Sequence, residues 1–459
     1  MTLSEYINTI RDKKIAVIGI GISNEPLIRL LAFEGCNVTA CDKRDFEKLG
    51  AKALELISMG VKLKLGETYL DDLDYDIIFR TPGLMPFDEH LASAKEKGSI
   101  ITSEMELFFA LCPCPIFAVT GSDGKTTTTT IISELLKKAG YNIHLGGNIG
   151  KPLLCELPFF KKDDIAVLEL SSFQLHSMPC RPNVAVITNI SPNHLDKHKD
   201  YQDYIDAKKS IYLNQHEDDL LVLNLDDEHT PEFLSSAKSR VKFFSFDSAP
   251  ENGTFYDEGN IYRIHNGEKA FLMNAGDILI PGDHNIKNYL AAFAATEGYV
   301  SDDICISTAK SFAGVEHRLE TVRVLNGVRY INDSIGSSPS RTIAGLHALK
   351  TKPIIIVGGY DKKIPFDTLG DELCKGAKKV IFTGATADKI KEAVLNSALY
   401  PESGLLLESV PDFKEAVLAA SASAHDGDIV LLSPACASFD HFANFEERGN
   451  YFKNIVMEL

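Results

Sequence analysis

The sequence lacks an excess of positive charge and any long hydrophobic run. Its formal net charge is −17, with 47 Lys and Arg against 64 Asp and Glu. Binding nucleic acid independently of sequence needs a cationic surface that displaces counterions from phosphates, so we expect no nucleic-acid partner. No apolar run approaches the length needed to cross a bilayer, and the N-terminal residues lack the apolar core of a signal peptide. We therefore expect a soluble, cytoplasmic protein with no membrane insertion.

The sequence also lacks a regular spacing of cysteines. Its nine cysteines are scattered and odd in number, which argues against a disulfide framework and against a zinc site. Cys112 and Cys114 flank Pro113 with no second Cys pair or His pair nearby, and we interpret them as the edge of a buried strand. The cysteine pattern indicates a reducing compartment.

The length and the alternation of elements predict several α/β domains. A chain of 459 residues exceeds what one hydrophobic core usually supports. Apolar strands separated by helical stretches predict mostly parallel sheets covered on both faces. We predict a Rossmann-like N-terminal domain over 1–104, a central phosphate-loop ATPase-type domain over 105–313 and a Rossmann-like C-terminal domain over 314–459. Asn-Gly pairs at 252 and 266 predict hairpins added to the central sheet.

The first strand and turn are typical of a dinucleotide-binding βαβ unit. An apolar strand over 15–18 leads into Gly19 and Gly21, and a second strand delivers Asp42, which can meet a ribose. Asn24 occupies the place of the third glycine of that fingerprint. The pattern is therefore weak for NAD, and a UDP-type diphosphate fits at least as well.

A glycine loop after the strand over 115–119 is the strongest single signal of chemistry. The loop consists of Gly121, Ser122, Asp123, Gly124, Lys125, Thr126 and Thr127. Its glycines let backbone N–H groups face a phosphate, Lys125 neutralises the transferable phosphate, and the Thr126 hydroxyl can bind Mg²⁺. Val119 stands where the first glycine of the longer phosphate loop would be. The alternative is a glycine turn before a Thr-rich helix.

Two further polar residues follow apolar strands. Glu169 ends one strand, where a carboxylate can bind the metal of a nucleotide, and His194 lies just beyond another. Taken alone, Glu169 is equally well a rim carboxylate, and a lone His is usually structural.

Several segments resemble the Mur ligase family, in family order along nearly the whole chain. They are TGSDGKTT at 120–127, NISPNHLD at 189–196, GDHN at 282–285 with Asn288, and HRLE at 317–320. Further segments are similar to the branch that adds D-glutamate: GGNIG at 146–150, ELSSFQL at 169–175, LSPACASFD at 432–440, and NFE at 444–446 before Arg448 and Gly449.

This resemblance implies an ATP-dependent ligase of peptidoglycan precursor synthesis, and hence of cell-wall formation and cell division. It implies that ATP phosphorylates the carboxylate of UDP-N-acetylmuramoyl-L-alanine and that the amine of D-glutamate attacks the acyl phosphate. It further implies Mg²⁺ at two sites, a carbamylated Lys208 and a monomer.

The resemblance also implies the residues of each site. The catalytic residues would be Lys125, Glu169, His194, Lys208 and Arg318. ATP would be bound by 121–127, Asn285, Asn288, Arg318 and Asp333, with Arg318 at the γ-phosphate. The UDP-substrate would be bound by Ser23, Asp42, Lys43, Thr81, Gly83, Asn148 and His194. D-Glutamate would be bound by Ser337, Lys362, Ser438 and Phe445. Metal would be bound by Thr126, Glu169, His194 and Lys208.

The sequence departs from the family pattern at Asn193, where many relatives have Asp, at Ile335, where some have Lys, and at Ser337, where some have Thr. Other interpretations stay open. A ligase of this family could add another amino acid or extend folate. The Asp-Asn-Pro-Arg motif of the branch that adds a diamino acid is absent. A phosphate-loop kinase or ATPase would leave the residues from 432 to 449 unexplained. A nicotinamide-dependent oxidoreductase and a non-catalytic UDP-sugar sensor are the remaining alternatives.

Overall fold

The computed structural model describes residues 1–176, 178–193, 197–265, 267–280, 282–361 and 364–459. These residues form two compact units, one comprising 1–278 with 283–311 and the other 279–282 with 312–459. The first unit contains two sheets and the second contains one. Within the described part of the chain, no helix combines the length and apolarity needed to cross a membrane. The predicted α/β class with mostly parallel sheets is confirmed, while the domain boundaries stay predictions.

The first sheet is parallel throughout. Its strands are β1 (Lys14–Ile18), β2 (Asn37–Asp42), β3 (Lys62–Leu65), β4 (Ile77–Arg80) and β5 (Ile100–Ser103), in the order β3-β2-β1-β4-β5. The helices are α1 (Leu3–Ile10), α2 (Glu25–Phe33), α3 (Phe46–Leu49), α4 (Ala51–Ser58), α5 (Glu89–Glu96) and α6 (Glu104–Leu111). Because parallel strands end at one edge, Asp42 at the end of β2 lies at the same edge of the sheet as Gly19 and Thr81, which directly follow β1 and β4.

The second sheet is parallel at one end and antiparallel at the other. Its strands are β6 (Ile116–Thr120), β7 (Ile143–Gly147), β8 (Ile165–Glu169), β9 (Val184–Ile187), β10 (Leu220–Asn224), β11 (Arg240–Ser245), β12 (Gly253–Asp257), β13 (Asn260–His265) and β14 (Glu268–Asn274). Their order is β14-β13-β12-β11-β10-β9-β6-β8-β7. The helices are α7 (Lys125–Lys138), α8 (Ser172–Leu175), α9 (Tyr201–Lys209), α10 (Thr230–Ser236), α11 (Asp283–Thr296) and α12 (Asp302–Ser311), with a 3₁₀ turn at Leu154–Phe159.

The prediction of added hairpins is confirmed for β12, β13 and β14, which pair antiparallel. It is wrong for the Asn-Gly pair at 252, because β11 and β12 pair parallel and Gly253 begins a strand. The first hairpin instead turns between Asp257 and Asn260. Asn266, the other predicted turn residue, lies outside the described residues.

The third sheet forms the core of the second unit. Its strands are β15 (Glu320–Leu325), β16 (Val328–Asn332), β17 (Ile354–Val357), β18 (Lys379–Phe382), β19 (Leu406–Ser409) and β20 (Ile429–Leu432), in the order β15-β16-β20-β17-β18-β19. β15 is antiparallel to β16 and the other pairs are parallel. The helices are α13 (Pro339–His347), α14 (Asp367–Gly376), α15 (Ala387–Asn396), α16 (Tyr400–Ser403), α17 (Phe413–Ala422) and α18 (Phe445–Glu458).

All nine cysteines are free, as their spacing predicted. The interpretation of Cys112 and Cys114 as the edge of a strand is corrected, because Cys112 is the C-cap of α6 and Cys114 precedes β6. Their Sγ atoms lie 3.6 Å apart.

Candidate functional site

The predicted phosphate loop follows β6, and its last three residues, Lys125, Thr126 and Thr127, form the start of α7, which is the order that a phosphate cradle requires. Gly121 and Gly124 have φ values of 146° and 75°, which residues with a Cβ rarely adopt. A Cβ on Gly121 would collide with the hydroxyl of Thr188, and a Cβ on Gly124 would collide with the side chain of Asn288. Since α7 begins at Lys125, its first N–H groups and the positive end of its dipole face this loop. The geometry suits an anionic ligand.

Residues that follow β9 form hydrogen bonds with the phosphate loop. The N–H of Ser122 donates to the carbonyl of Asn189 at 2.9 Å, and the N–H of Asp123 donates to Asn189 Oδ1 at 3.0 Å. The Oγ of Ser122 accepts from the N–H of Ser191 at 2.8 Å and lies 2.8 Å from the hydroxyl of Tyr204 on α9. The loop conformation is therefore fixed by backbone and side-chain groups of residues outside the loop.

Helix α11 completes the surroundings of the loop. Thr128 Oγ1 donates to Asn288 Oδ1 at 3.2 Å, and Asn288 Nδ2 donates to Asn285 Oδ1 at 3.2 Å. The Nζ of Lys125 donates to the carbonyl of Ser122 at 2.8 Å. The first unit thus brings the predicted ATP residues of the loop together with Asn285 and Asn288.

Glu169 ends β8 as predicted and is buried, with 1% of its surface exposed. Its Oε1 accepts from Nδ2 of Asn148 at 2.7 Å. Its Oε2 has no hydrogen-bond partner within the described residues. A Cβ on Gly147 would collide with the carbonyl of Glu169, so only glycine allows this close approach of backbones. The hydrogen bond between Asn148 and Glu169 joins a residue predicted to bind the UDP-substrate to a carboxylate predicted to bind metal.

Lys208 lies on α9 and is 2% exposed, which is unusual for a lysine. Its Nζ donates to the carbonyl of Gly121 at 2.6 Å and lies 4.6 Å from the centre of the Tyr204 ring. Burial lowers the pKa of Lys208 well below its ordinary value, and the positive charge of Lys125 lowers it further. Lys208 is therefore not part of a solvated helix face.

At the edge of the first sheet, the carboxylate of Asp42 is already engaged. Its Oδ2 accepts from the N–H of Ile20 at 2.7 Å, and its Oδ1 accepts from Nε of Arg44 at 2.9 Å. Burial alone would raise the pKa of Asp42, but the hydrogen bonds from Arg44 and Ile20 outweigh burial and lower it. Arg44, which sequence reasoning missed, also donates to the carbonyl of Ile20 at 2.7 Å, so its guanidinium lies against the turn that follows β1.

Asn24 explains the missing third glycine. It is the N-cap residue of α2, and its Nδ2 donates to the carbonyl of Ile18 in β1 at 2.8 Å. Its side chain therefore joins the helix to the strand, where a glycine would allow close packing of the two.

A cavity in the first unit is lined by residues from both of its sheets, among them Ser23, Asn24, Arg80, Glu104, Gly147 and Gln174. Arg80 precedes Thr81 and Gly83, the predicted UDP-substrate residues after β4, and Thr81 packs close to Gly19. Burial raises the pKa of Glu104 to about 7, although Glu104 accepts a hydrogen bond from the N–H of Leu154.

In the second unit, Asp333 follows β16 and is buried. Its Oδ2 accepts from the hydroxyl of Ser433 at 2.6 Å, and its Oδ1 accepts from the N–H of Leu319 at 3.2 Å. Burial raises the pKa of Asp333 to about 6, against the opposing effects of these hydrogen bonds and of the charge on Arg318. Asp333 and Arg318, both predicted for ATP, therefore interact within one unit.

A buried arginine organises the predicted D-glutamate segment. Arg448 is 2% exposed and donates to the carbonyls of Ser334, Cys436 and Ala437 at 2.9 to 3.2 Å. The hydroxyl of Ser334 donates to the carbonyl of Phe445 at 2.7 Å. Burial lowers the pKa of Arg448 to about 10. Arg448 thereby fixes the backbone just before buried Ser438, and it also donates to the hydroxyl of Ser334 that holds Phe445. Its place in a sequence motif does not reveal this role.

Of the remaining predicted residues, one is described by the structure and two are not. Ser337 follows β16 in the second unit, and its N–H donates to the carbonyl of Ile335 at 2.7 Å. His194 and Lys362 lie outside the described residues.

Comparison with known proteins agrees with this arrangement. A model of the Mur ligase middle domain matches residues 119–296, and a model described as Mur ligase, glutamate ligase domain, matches residues 317–436. A protein from Acetivibrio thermocellus named UDP-N-acetylmuramoylalanine--D-glutamate ligase is 49% identical over 460 residues, which cover 100% of this chain and 99% of that protein. The chain belongs to the Mur ligase family. A protein of the same name from Clostridium novyi is 48% identical, with 100% of this chain and 99% of that protein covered.

Solved structures of other Mur ligases share the fold. UDP-N-acetylmuramate-alanine ligase MurC from Thermotoga maritima has a TM-score of 0.57 at 18% identity, covering 97% of this chain and 99% of that one. MurF from Thermotoga maritima, solved in complex with ADP, has a TM-score of 0.53 at 18% identity, covering 98% and 97%. These likenesses show the Mur ligase fold, and the family resemblance predicted from the sequence is confirmed.

Proposed function

We propose that this chain is an ATP-dependent ligase that joins D-glutamate to UDP-N-acetylmuramoyl-L-alanine in peptidoglycan precursor synthesis. The observation that carries the choice of substrates is the full-length identity of 49% to a relative named for this activity. The observation that supports the chemistry is the meeting of Lys125, Lys208 and Glu169 around one glycine loop. Lys208 Nζ donates to the carbonyl of Gly121, and Lys125 Nζ donates to the carbonyl of Ser122. Glu169 pairs with Val119, which lies two residues before the loop.

The reaction begins with phosphoryl transfer. A carboxylate oxygen of UDP-N-acetylmuramoyl-L-alanine attacks the γ-phosphorus of ATP, and ADP leaves. Both reactants are anions, and two unit charges 4 Å apart repel by about 4 kcal/mol at an effective dielectric constant of about 20. Lys125 and the N–H groups of the loop over 121–127 offset this repulsion. Use of ATP agrees with the ADP complex of the related Thermotoga ligase.

Amide formation follows. The nitrogen of D-glutamate attacks the acyl carbon of the acyl phosphate, a carbon–nitrogen bond forms, and inorganic phosphate leaves as the nitrogen gives up its proton. The acyl phosphate reacts readily with water, so the site has to exclude water until the amine attacks. We assign D-glutamate to Ser337, Ser438 and Phe445 together with Lys362, the cation that would pair with a substrate carboxylate.

Mg²⁺ fits the residues near the loop. We assign it to Thr126, Glu169 and Lys208 as a carbamate, with His194 from outside the described residues. The buried Oε2 of Glu169 lacks a hydrogen-bond partner within the described residues, and carboxylate oxygens are ligands that Mg²⁺ prefers. When bound, Mg²⁺ supplies positive charge that polarises the phosphoryl group.

Carbamylation of Lys208 agrees with its surroundings. Carbon dioxide reacts with a neutral amine, and the lowered pKa of buried Lys208 favours that form. The product would be an anionic oxygen ligand in place of the neutral amine, and its charge would be attracted to the positive charge of Lys125.

The other assignments complete the proposal. ATP is bound by the loop residues with Asn285, Asn288, Arg318 and Asp333. The UDP-substrate is bound by Ser23, Asp42, Lys43, Thr81, Gly83 and Asn148, in a domain over 1–104. The central domain over 105–313 takes ATP, and the domain over 314–459 takes D-glutamate. We place the enzyme in the cytoplasm. We also propose that it is a monomer, and light scattering of the purified protein can check its oligomeric state.

The test is phosphate release by the purified protein with ATP, Mg²⁺ and UDP-N-acetylmuramoyl-L-alanine. D-Glutamate is compared with L-glutamate, L-lysine, meso-diaminopimelate and no acceptor. We expect release only with the precursor and D-glutamate together, and a product heavier by one glutamyl unit in mass spectrometry. Release with another amino acid would assign the chain to a sister ligase, and no release with any acceptor would refute the proposal.

A further inference from the structure

A closed set of hydrogen bonds, which we call the His–Asp ring, joins α8 to the start of α9, and the N–H of His176 closes it by donating to the carbonyl of Ser172 at 2.9 Å. It consists of Ser172, His176, His198 and Asp203. His176 Nε2 lies 2.9 Å from Asp203 Oδ1, and His198 Nδ1 lies 2.9 Å from Asp203 Oδ2. His198 Nε2 lies 2.9 Å from the hydroxyl of Ser172. Both ends of the single-turn helix α8 are therefore joined to one carboxylate.

The chemistry of the ring fixes the direction of its hydrogen bonds. Burial alone would raise the pKa of Asp203, but the hydrogen bonds from His176 and His198 outweigh burial and hold it below its ordinary value. An ionised carboxylate only accepts, so each imidazole donates to Asp203. The buried ring of His198 also stacks on Phe173, with centroids 5.4 Å apart.

A third anchor comes from the first sheet. Arg80 at the end of β4 is 2% exposed, and it donates to the carbonyl of His176 at 3.0 Å and to that of Phe173 at 3.4 Å. These carbonyls belong to α8 and to the residue that follows it. Because α8 is held by Arg80 on one side and by Asp203 on the other, it cannot shift along α9 without breaking hydrogen bonds.

The position of the ring in the chain gives it a role. Ser172 comes three residues after Glu169, and Asp203 lies on the same helix as Lys208, five residues before it. The two segments that the ring joins are thus the segments that carry the proposed carboxylate and carbamate ligands. Groups that orient ligands typically change metal affinity or activity by about 10- to 100-fold when they are removed.

We propose that the His–Asp ring is a positioning device that fixes Lys208 relative to Glu169 and so sets the affinity of this pair for a divalent cation. This inference rests on the proposed function. Its residues need not contact substrate or cation, because they act through the segments that hold Glu169 and Lys208.

The test uses His198→Phe, which keeps an aromatic ring against Phe173 and removes both hydrogen bonds, and Asp203→Asn, which removes the carboxylate. The matched control is His144→Phe, because His144 pairs with Asp164 at 2.8 Å in the same unit but away from α8 and α9. Binding of Mn²⁺ to the full chain with a non-hydrolysable ATP analogue is followed by electron paramagnetic resonance. The Mg²⁺ concentration that gives half-maximal ligase rate is measured in parallel.

We expect both ring variants to bind Mn²⁺ about tenfold more weakly and to need about tenfold more Mg²⁺, with KM for D-glutamate within about twofold of wild type. His144→Phe should match wild type in each measurement. Wild-type cation affinity in either folded ring variant would overturn the inference. So would stoichiometric zinc or another transition metal bound at the ring, since the ring would then be a metal site. Failure of the proposed function would appear separately, as an inactive wild type.

Discussion

Removing the guanidinium of Arg448 tests whether one buried cation organises the candidate D-glutamate segment. Arg448→Met keeps an unbranched apolar side chain but removes four hydrogen bonds, to the carbonyl and hydroxyl of Ser334 and to the carbonyls of Cys436 and Ala437. At about 1.5–2 kcal/mol for each hydrogen bond from a charged group, the gross loss is about 6–8 kcal/mol. The lowering of the pKa from 12.5 to about 10 indicates that burial disfavours the charged form by about 3 kcal/mol, a penalty that Met removes. The expected net loss is therefore about 4 kcal/mol.

Hydrogen exchange and kinetics together measure this effect. We expect faster exchange over residues 433–446 in Arg448→Met, and a KM for D-glutamate raised about tenfold or more, because Ser438 and Phe445 lose their fixed backbone. The KM for ATP should change little. The control is Arg323→Met, since partly exposed Arg323 also donates to two carbonyls of α18 but lies away from this segment. Unchanged exchange in Arg448→Met, or an equal effect in the control, would refute the reasoning.

Three other perturbations have defined outcomes. Gly124→Ala should lower kcat/KM for ATP by about 100-fold or more, because the added Cβ would collide with Asn288. Gly140 has a similar φ but open space around it, so Gly140→Ala should only destabilise the protein by about 1 kcal/mol. Nucleotide titration of both variants tests this difference. Burial raises the pKa of Glu104 in the folded state from 4.5 to about 7, so the stability of the wild type falls as pH rises through that window. Glu104→Gln should therefore be more stable than the wild type by up to about 3 kcal/mol at pH 8. Below about pH 4 the two proteins should be equally stable. Urea melts at both pH values measure the difference, and a pH-independent difference would contradict it. Lys208→Ala should lower the ligase rate by about 100-fold or more. Added acetate should restore part of the rate, because it can supply an anionic oxygen in place of the carbamate. A ligase rate that acetate does not restore would argue against a carbamate.

Much of the fold could be predicted from the sequence because buried parallel strands are continuous apolar runs. β6, β9 and β20 were recognisable in this way, since every residue in them is buried. Short edge strands such as β3 and β19 expose part of their surface and lack such a run, so the sequence did not reveal them. The parallel pairing of β11 and β12 was also missed, because an Asn-Gly pair is typical of tight hairpin turns.

The candidate site was predictable where one segment carries the chemistry, as in the loop around Lys125. It was not predictable where the decisive contact joins distant segments. Arg448 reaches Ser334 across 114 residues of chain, and Lys208 reaches the carbonyl of Gly121 across 87. Nothing in the local sequence distinguishes buried Lys208 from exposed lysines, because burial is decided by the packing of α9 against the loop.

The dependence of the phosphate loop on α11 has a consequence for synthesis of the protein. Thr128 and Asn288 are hydrogen-bonded across 160 residues, and the nine residues that end α11, from Asn288 to Thr296, are all buried. The ribosome therefore makes the glycine loop long before it makes the helix that braces it. A nascent chain that ends before α11 contains every loop residue but lacks the wall against which Gly124 is packed. Nucleotide binding should thus first appear when α11 has left the ribosome exit tunnel, and not when the glycine loop itself has emerged.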